Sequence, residues 1–181
     1  MKIHGAQITC ICGKHQISDD YIQATDFLLH SNLIENERTA EGLIDAHQAW
    51  EYALSLDKIA VHDILEIHRL LMQRLNPRIA GALRKVNVSV GFKPCPNPGS
   101  VRRMLYQWAG NFNIDYSQLI PGIMEDTARI LHIEFERIHP FEDGNGRVGR
   151  ILYNWQRVKN HLPIHVIHEG AEQREYYGWF R

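Results

Sequence analysis

The sequence predicts an all-α domain carrying one small β-hairpin. Apolar residues recur at spacings of three and four along several long segments. Beyond the first 17 residues, strand-like alternation is found at Val86-Asn87-Val88-Ser89-Val90, bracketed by glycines and prolines. No internal repeat or low-complexity tract argues for another architecture. With 181 residues, 44% of them apolar, the chain fits a single domain able to bury its own core.

Residues 1–17 carry few helical signals, and Ile8, Cys10 and Cys12 alternate as in a short strand of no assigned role. Cys10-Ile11-Cys12, with His4 and His15 nearby, has zinc-ligand residue types without a zinc spacing, which favours ordinary packing. The domain proper is expected over 18–181. Ser18 is placed to cap a helix opening at Asp19-Asp20, with Ile22, Phe27 and Leu28 facing inward. A second helix is expected from about 39 to 54, with Thr39 as cap and Gly42 tolerated inside it. From Asp57 to Leu75 the set Val61, Ile64, Leu65, His68, Leu71, Met72 and Leu75 defines one helix face, and Pro77 ends it. His68 on that face reads as a core residue.

Gly81, Gly91, Pro94, Pro96 and Pro98 then mark a hairpin or extended flap over about 81–97. Helices resume at Ser100, read as the cap of a segment bearing Val101, Met104, Leu105 and Trp108. The next spans about 122–138, with Ala128, Leu131, Phe135 and Ile138 inward. A turn over 139–146 leads into a last helix starting near Arg147 and reaching about Asn160. Val148, Ile151, Leu152, Trp155 and Val158 form its inner face.

Bulk properties narrow the function classes. A formal net charge of -1 argues against a nucleic-acid coat protein, so no nucleic-acid partner is expected. Three cysteines, at 10, 12 and 95, are a poor disulfide framework and suit a reducing compartment. No uninterrupted run of about 18 apolar residues exists, and no leader pattern opens the chain. The expectation is a soluble, cytoplasmic protein with no membrane partner.

The stretch Asp143-Gly144-Asn145-Gly146 between two amphipathic helices has the properties of an anion site. Free N–H groups at a helix N-terminus bind phosphate, and two glycines let several amides converge. Arg147 and Arg150, three apart, can both project from the first turn and fork onto neighbouring phosphates. Asp143 offers a hard oxygen for Mg2+. His139 brings an imidazole able to take a proton from an attacking alcohol. Phe141, between polar neighbours, reads as an anchor sunk in the core. A plain interhelical turn with exposed arginines is the competing description.

Taken together, His139-Pro140-Phe141-Glu142-Asp143-Gly144-Asn145-Gly146-Arg147-Val148-Gly149-Arg150 resembles the defining motif of Fic domain proteins, with every customary position filled. Gly81-Ala82-Leu83-Arg84, followed by Val86 to Gly91, is similar to the family's flap. That likeness implies that Val86, Asn87, Val88, Ser89 and Val90 hold a target segment as an added strand. Ser31-Asn32-Leu33-Ile34-Glu35-Asn36 resembles the family's inhibitory helix, expected here over about 24–36. Ser31 and Glu35 are its signature residues, and the resemblance implies a Glu35–Arg150 pair that keeps the γ-phosphate from seating.

The resemblance further implies a protein adenylyltransferase. AMP would pass from ATP, with Mg2+ on Asp143, to a Ser, Thr or Tyr hydroxyl of a target protein, with His139 as base. Gly144, Asn145, Gly146, Arg147 and Arg150 would bind the phosphates. Tyr176 and Tyr177 are the candidates for a nucleobase pocket. Relatives also suggest a homodimer, and, as alternatives, removal of AMP or transfer of UMP or a terminal phosphate. The intact Gly146 favours AMP over kinase-like transfer, because the kinase-like relatives carry lysine there. A non-enzymatic partner of a toxin–antitoxin pair is the remaining alternative, and the complete set of polar motif residues argues against it.

Overall fold

The computed structural model describes residues 18–181 apart from positions 92 and 117, so the expected strand and cysteine pair of the N-terminal segment lie outside the described residues. Helix starts follow the capping chemistry. α1 (Asp19–Ile34) opens where Ser18 Oγ accepts the Tyr21 N–H at 3.2 Å, and α2 (Ala40–Leu54) where Thr39 Oγ1 accepts the Gly42 N–H at 3.0 Å. α3 (Val61–Met72) starts four residues later than the periodicity predicts. Its first turn is held by Asp63, whose Oδ2 accepts the Ala60 N–H at 2.8 Å, and no comparable acceptor serves Asp57.

α4 (Pro98–Phe112) starts earlier than Ser100. Asn97 is the cap, its Oδ1 accepting the Gly99 N–H at 2.8 Å, and Pro98 occupies the first helical position, where its fixed φ costs nothing. α5 (Pro121–Ile138), α6 (Asn145–Lys159) and the short α7 (Ala171–Gly178) complete the order. α7 carries no apolar periodicity and was not legible in the sequence.

The hairpin is shorter than the alternation predicts. Only β1 (Ser89–Val90) and β2 (Lys93–Pro94) pair, antiparallel, with Ser89 opposite Pro94 and Val90 opposite Lys93. One further bond, from the Cys95 N–H to the Val88 carbonyl at 3.0 Å, extends the contact. Pro94 and Pro96 lack the N–H groups a longer ladder requires. Gly91, at φ 58, makes the turn.

α6 is the centre of the domain, with nearly every residue from Asn145 to Arg157 buried. α1, α2, α3 and α5 all pack against it. Its inner face meets a row of rings: Trp155 lies 5.4 Å from Phe112, which lies 4.6 Å from Trp108. Two buried ring and amide donors find carbonyls there, Trp155 Nε1 that of Ala53 and Gln156 Nε2 that of Phe112, both at 2.8 Å. A smaller cluster of Ile34, Ile167 and Tyr176, backed by Trp179 and Phe180, joins the end of α1 to α7.

Candidate active site

The site is built at the turn between α5 and α6. α5 ends at Ile138, and His139 takes the left-handed conformation at φ 49, ψ 64. A non-glycine residue there costs about 1 kcal/mol and must be held by its surroundings. Arg84 supplies the hold. Its buried guanidinium donates to the His139 carbonyl at 2.7 Å and the Ile138 carbonyl at 3.4 Å, capping the C-terminal end of α5. The same group donates to the Val86 carbonyl at 3.0 Å and the Pro96 carbonyl at 2.6 Å, one on each arm of the flap. Its own N–H reaches the Pro140 carbonyl at 3.0 Å. One arginine therefore fixes the flap to the loop that carries His139.

The His139 ring is 20% exposed, with Nδ1 3.3 Å from the Glu136 carbonyl. Donation by Nδ1 to that carbonyl leaves the Nε2 lone pair free. Burial lowers the pKa of the ring, opposed by the carbonyl bond, and the Arg84 charge lowers it further, so the neutral, proton-accepting form is favoured. The tautomer follows from the hydrogen-bond geometry.

Phe141 is fully buried, as its position between polar residues predicts, and stacks on His68 at 3.7 Å and 4° between planes. His68 is a core residue with a second task. Its Nδ1 accepts the Gly81 N–H at 3.0 Å, so the proton sits on Nε2 and is donated to the Asp143 carbonyl at 3.0 Å. Burial pushes its pKa down to about 4, in keeping with a neutral ring bonded on both sides. Flap and loop are thus joined a second time.

Asn145 braces the turn. Its side chain is buried, accepting the Phe141 N–H and donating to the Phe141 carbonyl, both at 2.9 Å. Both bonds brace the turn, and one amide N–H is left over for a further partner. α6 starts at Asn145, two residues ahead of the expected Arg147, after Gly144 at φ 80. A Cβ at Gly144 would press on Met72 Sδ at 3.0 Å and on the His68 ring at 3.3 Å.

Asp143 stands at the mouth, its side chain 61% exposed, with Oδ1 accepting the Gly144 N–H at 2.6 Å. A solvent-facing carboxylate with a second oxygen to spare fits Mg2+, which takes few protein oxygens and completes its shell with phosphate and water. Arg147 lies beneath, buried, with Nη2 3.3 Å from Met72 Sδ and 3.9 Å from Asp143 Oδ2. Its Nε has no hydrogen-bond partner, which suits a cradle for an anion.

Arg150 is 2% exposed and tied to α1. Nε donates to Ser31 Oγ and Nη2 to the Ser31 carbonyl, both at 2.9 Å, and Nη2 also reaches Glu35 Oε1 at 2.8 Å. Glu35 sits so close above the first turn of α6 that a methyl group on Gly146 would collide with its carboxylate. The C-terminus of α1 explains how it gets there. Glu37 N–H returns to the Asn32 carbonyl at 3.0 Å and Asn36 N–H to the Leu33 carbonyl at 2.9 Å, with Asn36 at φ 59. That is a Schellman ending, and its left-handed position calls for glycine or asparagine, as the six-residue pattern has it.

The two tyrosines expected at a nucleobase separate. Tyr176 is 3% exposed, its hydroxyl 2.9 Å from His132 Nε2 and 3.4 Å from Arg150 Nη1. It supports Arg150 from behind and lines no open wall, because the Ile34–Ile167–Tyr176 cluster draws α7 inward; this corrects the expectation for that residue. Tyr177 is half-exposed. Of the flap residues, Val86 and Val90 are half-exposed, and Asn87 and Ser89 exposed.

Arg84 and Glu136 carry parts that the sequence reading did not assign. Glu136 Oε2 lies 3.9 Å from His139 Nδ1, and burial pushes its pKa up to about 7, opposed by Arg150 and reinforced by Glu35. A stripe of His132, Glu136 and His139 at helical spacing was the available signal. A Cβ at Gly149 would strike Glu136 and His132, so the motif's third glycine admits them between α5 and α6.

Known proteins agree with this geometry. A Fic/DOC family model matches residues 56–156. A protein adenylyltransferase Fic from Culex quinquefasciatus is 32% identical over 125 residues, covering 69% of this chain and 24% of that protein. Another of that name from Drosophila willistoni is 30% identical over 120 residues, covering 66% and 24%. The chain spans about a quarter of the length of these curated relatives. Among solved structures, Fic-1 from C. elegans superposes with a TM-score of 0.73 at 22% identity, over 86% of this chain and 54% of that one. A Fic domain containing signaling protein from Bacteroides thetaiotaomicron does so at 0.73 and 20%, over 89% and 71%. The helix–loop–helix from His139 to Arg150, the small flap beside it and a family match across more than half of the sequence make this chain a member of the Fic/DOC family.

Proposed function

We propose that this protein transfers AMP from ATP to a hydroxyl of a protein target and that Glu35 holds the transfer in check. The observation that carries the reading is the Glu35 carboxylate lodged over Gly146 on the fork of Arg150, at the helix N-terminus beside the free Nε2 of His139. The names of the curated relatives support the reaction class.

In the reaction His139 Nε2 takes the proton of a Ser, Thr or Tyr hydroxyl. The hydroxyl oxygen bonds to the α-phosphorus, the bond from that phosphorus to the bridging oxygen breaks, and pyrophosphate leaves. The first-turn N–H groups of α6 and Arg147 face the phosphate charge as fixed donors, which need no reorganisation. Mg2+ bound at Asp143 would neutralise phosphate charge. The unpaired outer edge of β1 offers main-chain groups to an extended target segment.

Glu35 competes with the outer phosphate for Arg150, since one guanidinium edge cannot serve both. Replacing Glu35 by glycine leaves Arg150 bonded to Ser31 and frees one donor, so AMP transfer should rise. The check is intact-protein mass spectrometry of wild type and Glu35→Gly after incubation with Mg-ATP and with candidate acceptors. Mass gain of one AMP group in the variant alone supports the reading; equal modification of both proteins would rule out restraint by Glu35. Removal of AMP is favoured as a second reading by one observation: the Glu35 side chain beside Arg150 is 33% exposed, open to solvent from which it would activate a water. Release of AMP from a modified target by wild type, lost in Glu35→Gly, would establish it.

A further inference from the structure

We infer that Asp26, His30 and His168 form a binding site for a first-row divalent metal ion of the zinc class, one that staples α1 to the segment leading into α7. Asp26 and His30 are one turn apart on α1, and His168 comes from a connection well over a hundred residues away in sequence. Asp26 Oδ1 lies 3.5 Å from His30 Nε2, and Asp26 Oδ2 lies 3.7 Å from His168 Nε2. The candidate donor atoms of all three residues fall within 4.8 Å of one another. Donors about 2.1 Å from a tetrahedral ion stand about 3.4 Å apart. The donor atoms, at most 4.8 Å apart, would draw together around the ion, and water can take the fourth position.

The orientation of His168 is that of a ligand held from behind. Its Nδ1 lies 2.8 Å from Glu172 Oε2, which also accepts the His168 N–H at 2.9 Å. Donation of the Nδ1 proton to that carboxylate would leave Nε2, 3.7 Å from Asp26 Oδ2, for the ion, the arrangement in which a carboxylate supports a metal-bound imidazole. The His30 and His168 rings stand 4.3 Å apart at 67°, and His30 Nδ1 is buried without a partner. Two imidazoles and one carboxylate favour zinc and its neighbours over Mg2+ or Ca2+, which prefer oxygen.

His30 immediately precedes Ser31, which binds Arg150, and Glu35 lies at the end of the same helix. The α7 side of the staple carries Tyr176, which also meets Arg150. A metal at the triad would therefore hold α1 over the cradle. This regulatory consequence rests on the reading of Glu35 as a restraint, whereas the site itself does not.

The test is titration of the full chain with Co2+ followed by displacement with Zn2+. One equivalent giving visible ligand-field bands without a thiolate charge-transfer band is expected, because the site holds no sulfur. His168→Ala should lose that equivalent, and Glu172→Gln should bind about tenfold more weakly. Metal-free circular dichroism of the variants checks that they fold. Titration curves of His168→Ala and His30→Gln that match wild type, or a thiolate band from Cys10 and Cys12 in place of the expected spectrum, overturn the site. The staple is read separately, as self-modification with Mg-ATP that appears in His168→Ala and is absent from Zn2+-loaded wild type. Metal binding without that difference leaves the site standing and removes only its regulatory part.

Discussion

At His139 a left-handed backbone and a buried ring act together. The backbone turns the side chain out of the α5 register toward the mouth of the cradle, and the Glu136 carbonyl sets which nitrogen is free. Burial, aided by Arg84, holds the ring's pKa below 6.5. In the proposed transfer the neutral form is the base, so protonation removes it. Transfer by Glu35→Gly protein should therefore be flat at neutral pH and fall on acidification, through a midpoint below 6.5, in a pH–rate profile. A midpoint above 6.5 would contradict the assignment. His139→Ala should lower turnover by about 10²–10⁴-fold while nucleotide binding, followed by calorimetry, is retained. Asn145 teaches a different lesson at this scale. A polar motif residue expected to meet phosphate also closes two hydrogen bonds on Phe141 and shapes the loop.

Between elements, the decisive contacts are those that join flap, loop and α1 to the ends of α5 and α6. Arg84 serves carbonyls from three places at once, the end of α5 and both arms of the hairpin. Arg84→Met keeps the stem and removes the donors. Buried carbonyls left unpaired cost about 1–3 kcal/mol, so a modest loss of stability is expected. Amide hydrogen exchange across 86–97 should accelerate, and transfer to an external target should fall. Unchanged exchange in the hairpin would show that the two-residue ladder and Cys95 suffice to hold it. The prolines that bounded the flap in the sequence also explain its shortness, because β2 ends where Pro94 and Pro96 have no donors to give. α1 owes its reach over α6 to its Schellman ending, which turns Glu35 back toward Arg150.

Across the whole molecule, one apolar cluster runs from Ala24 on α1 through Trp50, Ile64, Trp108 and Phe135 to Trp155 on α6, and it includes Phe141 from the active loop. Site and core are therefore one cooperative body. Phe141→Ala should cost about 3–5 kcal/mol, lowering the urea midpoint with little change in slope, and activity should fall with it because His68 loses its stacking partner. Arg84→Met, by contrast, should affect the site more than the midpoint. Among the described residues no helix is long and apolar enough to cross a membrane, and the core faces α6 from all sides.

Local chemistry was legible without a structure. Periodicity placed α2, α5 and α6 to within a few residues, Ser18 and Thr39 announced their helices, and the run from His139 to Arg150 marked the site. These signals act within a few turns of the chain, so the order of residues suffices to read them. α7 and the start of α3 were not legible, since one lacks an apolar stripe and the other begins at a backbone bond to Asp63. What tertiary structure alone decided is which distant groups meet. The Glu35–Arg150 pair, 115 residues apart, was already implied by the family resemblance, whereas His68 bridging to Asp143 across 75 residues and Arg84 to the His139 carbonyl across 55 were not. Tyr176 likewise turns inward to Arg150, and His168 comes to face Asp26. Such pairings depend on how helices pack around α6, and helical spacing constrains the face a residue shares but not the partner that covers it.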